Sequence, residues 1–186
     1  MGMLKILPFV LLMGVSALAQ SSTYGVGRSP SAEEIRAWDI SVGPAGAELP
    51  PGRGTAKEGA QVYQQKGCAT CHGKTGTEGR APNLKGKADP STDTWERGRI
   101  LPIRSPFATT VWDYINRAMP LNREGTLTAD EVYALTAFLL YINDVIPEDQ
   151  VLDAQSLPQV KMPIGDAYAS LPDWKPKTRR LRGYPY

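Results

Sequence analysis

Residues 68–72 read Cys-Ala-Thr-Cys-His and hold both cysteines and the single histidine of the 186-residue chain. Two thiols separated by two residues and followed at once by an imidazole form the C-x-x-C-H pattern of covalent haem attachment. Both sulfurs can reach neighbouring edges of one porphyrin and add across its vinyl groups, while the next side chain falls beneath the metal. On this reading Cys68 and Cys71 become thioethers of one haem c and His72 is its proximal iron ligand. A structural zinc site takes about four protein ligands, and this cluster has three candidates with no second C-x-x-C to complete it. A thioredoxin-like dithiol expects a strand and a helix around it, which the flanking sequence does not offer. A plain disulfide is the remaining alternative.

An electron-carrying haem iron needs a second axial ligand. Bis-histidine ligation is excluded by the single histidine, which leaves a methionine thioether as the usual choice. Beyond residue 19 the methionines are Met119 and Met162. Met119 follows a helical pattern in Arg117-Ala-Met-Pro120, where the proline stops the helix and presents the thioether; Met162 lies in a proline-rich stretch further on. Met119 is the expected ligand. The alternative is that it fills the core and leaves the iron open or bound by lysine. Trp95, Arg99, Arg104, Trp112 and Tyr114 are candidates to line the pocket or meet the haem propionates, and each could equally be packing.

The elements that must position these groups are helical. Ser31/Glu34 has the spacing of a capping box and opens a short helix over 32–38. Thr55/Glu58 opens another that runs to about Lys66 and stops at Gly67, with Ala56, Gly59, Ala60 and Tyr63 on its inner face. Phe107, Val111, Tyr114 and Ile115 mark a helix ending near Ala118. Thr128/Glu131 opens the most regular one, carrying Val132, Leu135, Phe138, Leu139 and Ile142 to about Asn143; Tyr133, Leu140 and Tyr141 make it apolar nearly all round, so it is expected to be buried on more than one side. No stretch shows the period-two alternation of a strand, so the fold is expected to be all-α. The expected organisation is a signal peptide (1–19), an amino-terminal arm (20–54), a mono-haem domain (55–144) and a proline-rich extended tail (145–186). Apolar residues such as Leu152, Leu157, Val160 and Met162 suit a tail that wraps the domain or docks on a partner rather than one that is only solvated.

Residues 1–19 carry a basic start at Lys5, an apolar run from Ile6 to Leu18 and Ala17-Leu18-Ala19 before Gln20, the layout of a cleaved secretory signal. The apolar run is shorter than the roughly 20 residues of a spanning helix, so no transmembrane segment is expected after cleavage. With covalent haem this points to the bacterial periplasm. The net charge of +2 gives no sign of a nucleic-acid partner. Its distribution is uneven: Lys175, Lys177, Arg179, Arg180 and Arg182 make the tail basic and leave the body mildly acidic. A second basic run, Lys66, Lys74, Arg80, Lys85 and Lys87 against Glu78, brackets the haem motif and could steer an acidic partner to it.

Between Thr55 and Asn143 these motifs resemble class I cytochromes c: a first helix with Gly59 and Tyr63, the attachment motif, Pro82-Asn83-Leu84, Ala118-Met119-Pro120, and a last helix with Leu135 and Phe138. The resemblance implies that the end helices cross with Gly59 against Phe138 near Tyr63. It also implies that the Pro82 carbonyl accepts a hydrogen bond from the His72 ring, fixing its tautomer, and that His72 and Met119 are the axial pair. Ala81 stands where that family often has glycine. A narrower resemblance, to the cytochrome subunits of bacterial molybdenum sulfite or sulfane dehydrogenases of sulfur oxidation, rests on Tyr24-Gly-Val-Gly-Arg28, Glu34-Ile-Arg-Ala-Trp-Asp-Ile40, Leu49-Pro-Pro-Gly52, Pro106-Phe-Ala-Thr-Thr-Val-Trp-Asp-Tyr-Ile-Asn-Arg-Ala-Met-Pro120, Leu127-Thr-Ala-Asp-Glu-Val-Tyr-Ala-Leu-Thr-Ala-Phe138 and Leu157-Pro-Gln-Val-Lys-Met-Pro163. It implies an electron-transfer protein with no catalytic residue of its own. Such a protein is reduced one electron at a time by a molybdenum dehydrogenase subunit and oxidised by another cytochrome or a terminal oxidase. A freely diffusing carrier and a ligand-binding or sensor haem protein with open iron are the alternatives.

Overall fold

Three Ser/Thr-x-x-Glu sequences, beginning at Ser31, Thr55 and Thr128, open helices through the same reciprocal exchange. In the computed structural model, which describes residues 27–86 and 100–165, the helices are α1 (Ala32–Trp38), α2 (Ala56–Gln65), α3 (Cys68–His72), α4 (Leu101–Arg104), α5 (Ala108–Ala118) and α6 (Ala129–Tyr141). Ser31, Thr55 and Thr128 accept from the N–H groups of Glu34, Glu58 and Glu131 at 3.2, 3.3 and 3.3 Å. The three glutamates take the cap residues' own N–H groups at 2.7, 2.8 and 2.9 Å. Two otherwise unpaired donors are satisfied at each helix start.

The described residues divide into two units, one ending at Asp39 and one beginning at Ile40. In the first, α1 buries none of its residues; its polar side is tied by the Arg28–Glu34 ion pair, and Trp38 is 87% exposed. The Glu34 carboxyl is held down to about 2 by Arg28 and by the Ser31 N–H.

The second unit is organised by the crossing of α2 and α6. A side chain built at Gly59 would put its Cβ 1.9 Å from the Ala134 carbonyl oxygen and 2.7 Å from Phe138 Cβ. The two backbones therefore touch, and only glycine fits at the crossing. One turn along α2, the Tyr63 ring meets Phe138 with centroids 5.2 Å apart. On its other flank α6 packs against α5, where Trp112 and Tyr133 lie 5.5 Å apart. Val132, Tyr133, Leu140, Val111, Trp112 and Tyr63 are all fully enclosed. With buried residues on all sides, α6 is the central helix, as its all-round apolar sequence requires.

Residues 40–54 and 145–165 belong to this same unit. Leu49, Ile146, Leu152, Leu157 and Met162 are buried in one core with the helices. Arg53 pairs with Asp153 and Gly54 with Leu152 in a two-residue antiparallel ladder of β1 (Arg53–Gly54) and β2 (Leu152–Asp153). The expectation of an all-α fold stands, with this minimal ladder added to it. A ladder two residues long has no room for period-two alternation, and its partners are about 100 residues apart, so no local pattern announces it. The molecule is otherwise helical, with the class I cytochrome c fold.

No helix among the described residues is long and apolar enough to cross a membrane. The expected signal peptide of residues 1–19, residues 24–26 of the first resemblance motif, Lys87, Trp95, Arg99 and the basic cluster from Lys175 to Arg182 lie outside the described residues.

Gly59→Ala tests the crossing. At an open helical position this change stabilises by about 1 kcal/mol; against the Ala134 carbonyl it is expected to cost about 1–3 kcal/mol or more. Denaturant unfolding of the holoprotein decides, and an unchanged or raised midpoint would exclude the backbone contact.

Candidate haem centre

The attachment pentapeptide forms one helical turn of its own, α3, because a glycine in the left-handed region precedes it and a positive-φ glycine follows it. Gly67 (φ +77) ends α2 and Gly73 (φ +81) ends α3. Within the turn the Gly73 N–H reaches the Ala69 carbonyl at 2.9 Å. Cys68 and Cys71, three positions apart, therefore share a face. Both are free thiols and half-buried. Burial pushes the Cys68 thiol up, so a thiolate is disfavoured there, whereas a thioether carries no charge to desolvate. Arg80 Nη2 is 3.9 Å from Cys71 Sγ.

His72 Nδ1 is 2.9 Å from the Pro82 carbonyl oxygen. A carbonyl only accepts, so Nδ1 must carry the proton, and the lone pair is left on Nε2, the nitrogen that can ligate a metal. The loop that carries Pro82 is itself fastened to the turn. The Ala81 N–H donates to the Cys71 carbonyl at 2.8 Å and the Leu84 N–H to Gly76 at 2.7 Å. Gly79 lies flat on the turn, where a Cβ would stand 2.0 Å from the Cys71 oxygen. Ala81 is not among the positive-φ residues, so alanine fits there without strain. Glu78 closes the loop on Thr75, whose N–H and hydroxyl hold its carboxyl down to about 2.

Two polar contacts bind this loop to the long helices. Tyr63 of α2 donates its hydroxyl to the Gly73 carbonyl at 2.8 Å, and burial raises that phenol to about 12. Buried Asn143, just past α6, donates Nδ2 to the Leu84 and Leu139 carbonyls at 2.8 Å each and accepts the Gly86 N–H at 3.0 Å. In the sequence Asn143 marks only a helix end; its partners 57 and 59 residues away leave no local signal.

The two candidate methionines differ in surroundings. Met119 caps α5 in an extended conformation, its N–H on the Ile115 carbonyl at 3.1 Å, with its side chain half-buried against the core. Met162 is 5% exposed and packed within the core, so its thioether is committed to packing. Trp112 is enclosed by protein, its Nε1 without a hydrogen-bond partner. Tyr114 and Arg104 are exposed. Around the turn Lys74, Arg80 and Lys85 are exposed, while Lys66 pairs with Glu131 at 2.7 Å and accepts Arg123 Nη2 at its carbonyl, 3.3 Å away.

These residues fit a covalently attached haem c. The two thiols share one turn, the imidazole offers Nε2, and half-covered apolar side chains such as Leu84, Leu101 and Ile142 lie against the core. Asn143→Leu keeps the volume and strips partners from two carbonyls and one N–H. It is expected to cost about 2–4 kcal/mol in denaturant unfolding of the holoprotein, and a loss no larger than that of a surface substitution would refute the role given to the amide.

The cytochrome c family model matches residues 56–143, from the start of α2 to the Asn143 that follows α6. Among solved structures, the chain is similar to one in the crystal structure of the sulfane dehydrogenase SoxCD from Paracoccus pantotrophus. The identity is 37%, over 78% of this chain and 71% of that one, with a TM-score of 0.66. No curated relative matches. The solved-structure match extends beyond the residues the family model takes and so includes sequence outside the haem domain. With that identity sustained over more than two thirds of both chains, and with the family model placed on the crossed helices and the attachment turn, the chain belongs to the cytochrome c family, which implies covalently bound haem c and an electron-transfer role.

Proposed function

We propose that this cytochrome is a periplasmic, mono-haem electron acceptor for a molybdenum sulfite or sulfane dehydrogenase subunit, and that it hands its electrons to a second cytochrome or a terminal oxidase. The observation that carries the reading is the 37% identity to a chain of the sulfane dehydrogenase SoxCD over 78% of this sequence. One C-x-x-C-H motif and one histidine support a single haem, and the apolar run from Ile6 to Leu18 supports export.

In this role Cys68 and Cys71 would hold the porphyrin, His72 Nε2 and the Met119 thioether would ligate its iron, and no side chain would act as acid, base or nucleophile. Bound haem supplies a one-electron iron couple. The Pro82 carbonyl fixes the His72 ring by its Nδ1 proton and raises its basicity. The Met119 sulfur, neutral and able to accept metal electron density, favours the reduced state. Exposed Lys74, Arg80 and Lys85 beside the turn offer positive charge to an acidic donor or acceptor, an attraction that salt would screen.

Met119→Ala is expected to abolish the methionine-to-iron charge-transfer band, lower the reduction potential and let added imidazole bind. Met162→Ala is expected to keep the band while costing about 2–5 kcal/mol of stability through the cavity it leaves. Loss of the band in the Met162 variant alone would reverse the ligand assignment. For the donor, the ferric holoprotein is mixed with sulfite and a periplasmic molybdenum dehydrogenase from the same organism. Reduction that requires the dehydrogenase is expected; reduction by a chemical donor but not by this mixture would leave a diffusible cytochrome c with another donor.

A further inference from the structure

The helix that ends in Met119 carries a buried carboxylate with no part in holding haem. Asp113 lies in the middle of α5, 7% exposed. Its Oδ1 accepts the backbone N–H of Val42 at 2.9 Å and Arg117 Nε at 2.9 Å, and Arg117 Nη2 closes on Oδ2. A carboxylate buried to this degree is costly unless its lone pairs are filled, and here they are filled from two directions. One partner lies a turn further along the same helix; the other is in the arm, 71 residues away. One turn before Asp113, Thr109 directs its hydroxyl to the Pro44 carbonyl at 3.4 Å. Residues 42–44 of the arm thus lie along α5 and are joined to it through Asp113. The 157–159 turn of the tail also packs on α5, so the helix is held by both extensions. Its last backbone hydrogen bond is the one from the Met119 N–H to Ile115.

Resting on the reading of Met119 as the distal ligand, we infer that Asp113 is a positioning residue for the Met119 thioether: by locking α5 to Val42 it fixes the helix end from which the sulfur is presented. An iron–thioether bond is readily displaced by a stronger ligand, and the fraction of molecules with the sulfur off the iron sets the apparent affinity for an added one. Movement of α5 would raise that fraction. The arm is thereby a part of the ligand geometry, although none of its residues is a ligand.

Asp130 provides the matching control. Its Oδ1 accepts the Arg53 N–H at 2.8 Å, again joining arm backbone to a helix carboxylate, but on α6 rather than on the helix of Met119. Ferric holoprotein is titrated with imidazole while the methionine-to-iron band is followed, and denaturant unfolding is recorded in parallel. Asp113→Ala removes the acceptor, and Val42→Pro removes the donor without touching the helix. Both are expected to bind imidazole about tenfold more tightly than wild type, in proportion to a tenfold larger sulfur-off fraction. Asp113→Asn, which keeps one acceptor oxygen, should restore most of the wild-type affinity. Asp130→Ala should lose stability and leave imidazole binding unchanged. If the band is present and the Asp113 and Val42 variants lose stability with wild-type imidazole affinity, the positioning role is overturned while Met119 stands. Equal tightening in the Asp130 variant would overturn it too, as a general loosening. A wild-type protein without the band, or a Met119→Ala protein that keeps it, would overturn both readings.

Discussion

The structure depends on one contact between backbones, Gly59 of α2 on the Ala134 carbonyl of α6. Side chains hold most helix pairs 8–10 Å apart, and here the missing Cβ lets the pair close further. The turn that carries Cys68, Cys71 and His72 is placed relative to that crossing. α2 ends at Gly67, where the chain turns into α3, and Tyr63 leans on Phe138 and carries its hydroxyl to the carbonyl that follows the attachment turn. From the other helix, Asn143 reaches the loop that bears Pro82. The loop around His72 is thus secured from both members of the crossed pair.

Rigidity of this kind suits electron transfer. An electron moves with little barrier when the ligand set has the same geometry in both oxidation states, and a ring held by its Nδ1 proton on a backbone carbonyl has little freedom to swing or change tautomer. The Pro82 loop is short and pinned at Ala81, Leu84 and Gly86. Met119 is reached by a different route, through α5, which packs on α6 through Trp112 and Tyr133 and is clasped by the arm through Asp113. His72 and Met119, the proposed ligand pair, are consequently secured by separate sets of contacts that share α6.

Residues 40–54 of the arm and 145–165 of the tail are structural parts of the unit that holds the helices α2 to α6. Carboxylates on α5 and α6 accept arm N–H groups that no helix or strand would otherwise satisfy, and the Tyr133 hydroxyl donates to the Pro50 carbonyl at 3.0 Å. Leu152, Leu157 and Met162 complete the core from the tail side. Similarity to the SoxCD chain over 78% of this sequence agrees with a unit larger than the haem domain.

Much of the fold was legible because its signals are local. A capping box joins residues three apart, a glycine stops a helix where it stands, and the attachment motif needs five consecutive residues; the starts of α1, α2 and α6 and the grouping of Cys68, Cys71 and His72 follow from these, whereas the short helices α3 and α4 carry no such signal. The resemblance to class I cytochromes c added the pairings of Gly59 with α6 and of His72 with Pro82, which the geometry displays. What the sequence could not display is whatever joins residues far apart with no pattern of their own. The ladder of Arg53 and Gly54 with Asp153 and Leu152, the amide of Asn143 on Leu84 and Gly86, the carboxylate of Asp113 on Val42, and the deeper burial of Met162 than of Met119 all arise when distant segments meet. Local chemistry determined which residues could take a haem; only the tertiary packing decided which backbone groups hold them in place, because a hydrogen bond across 57 or 71 residues is specified by the fold and not by its neighbours in the chain.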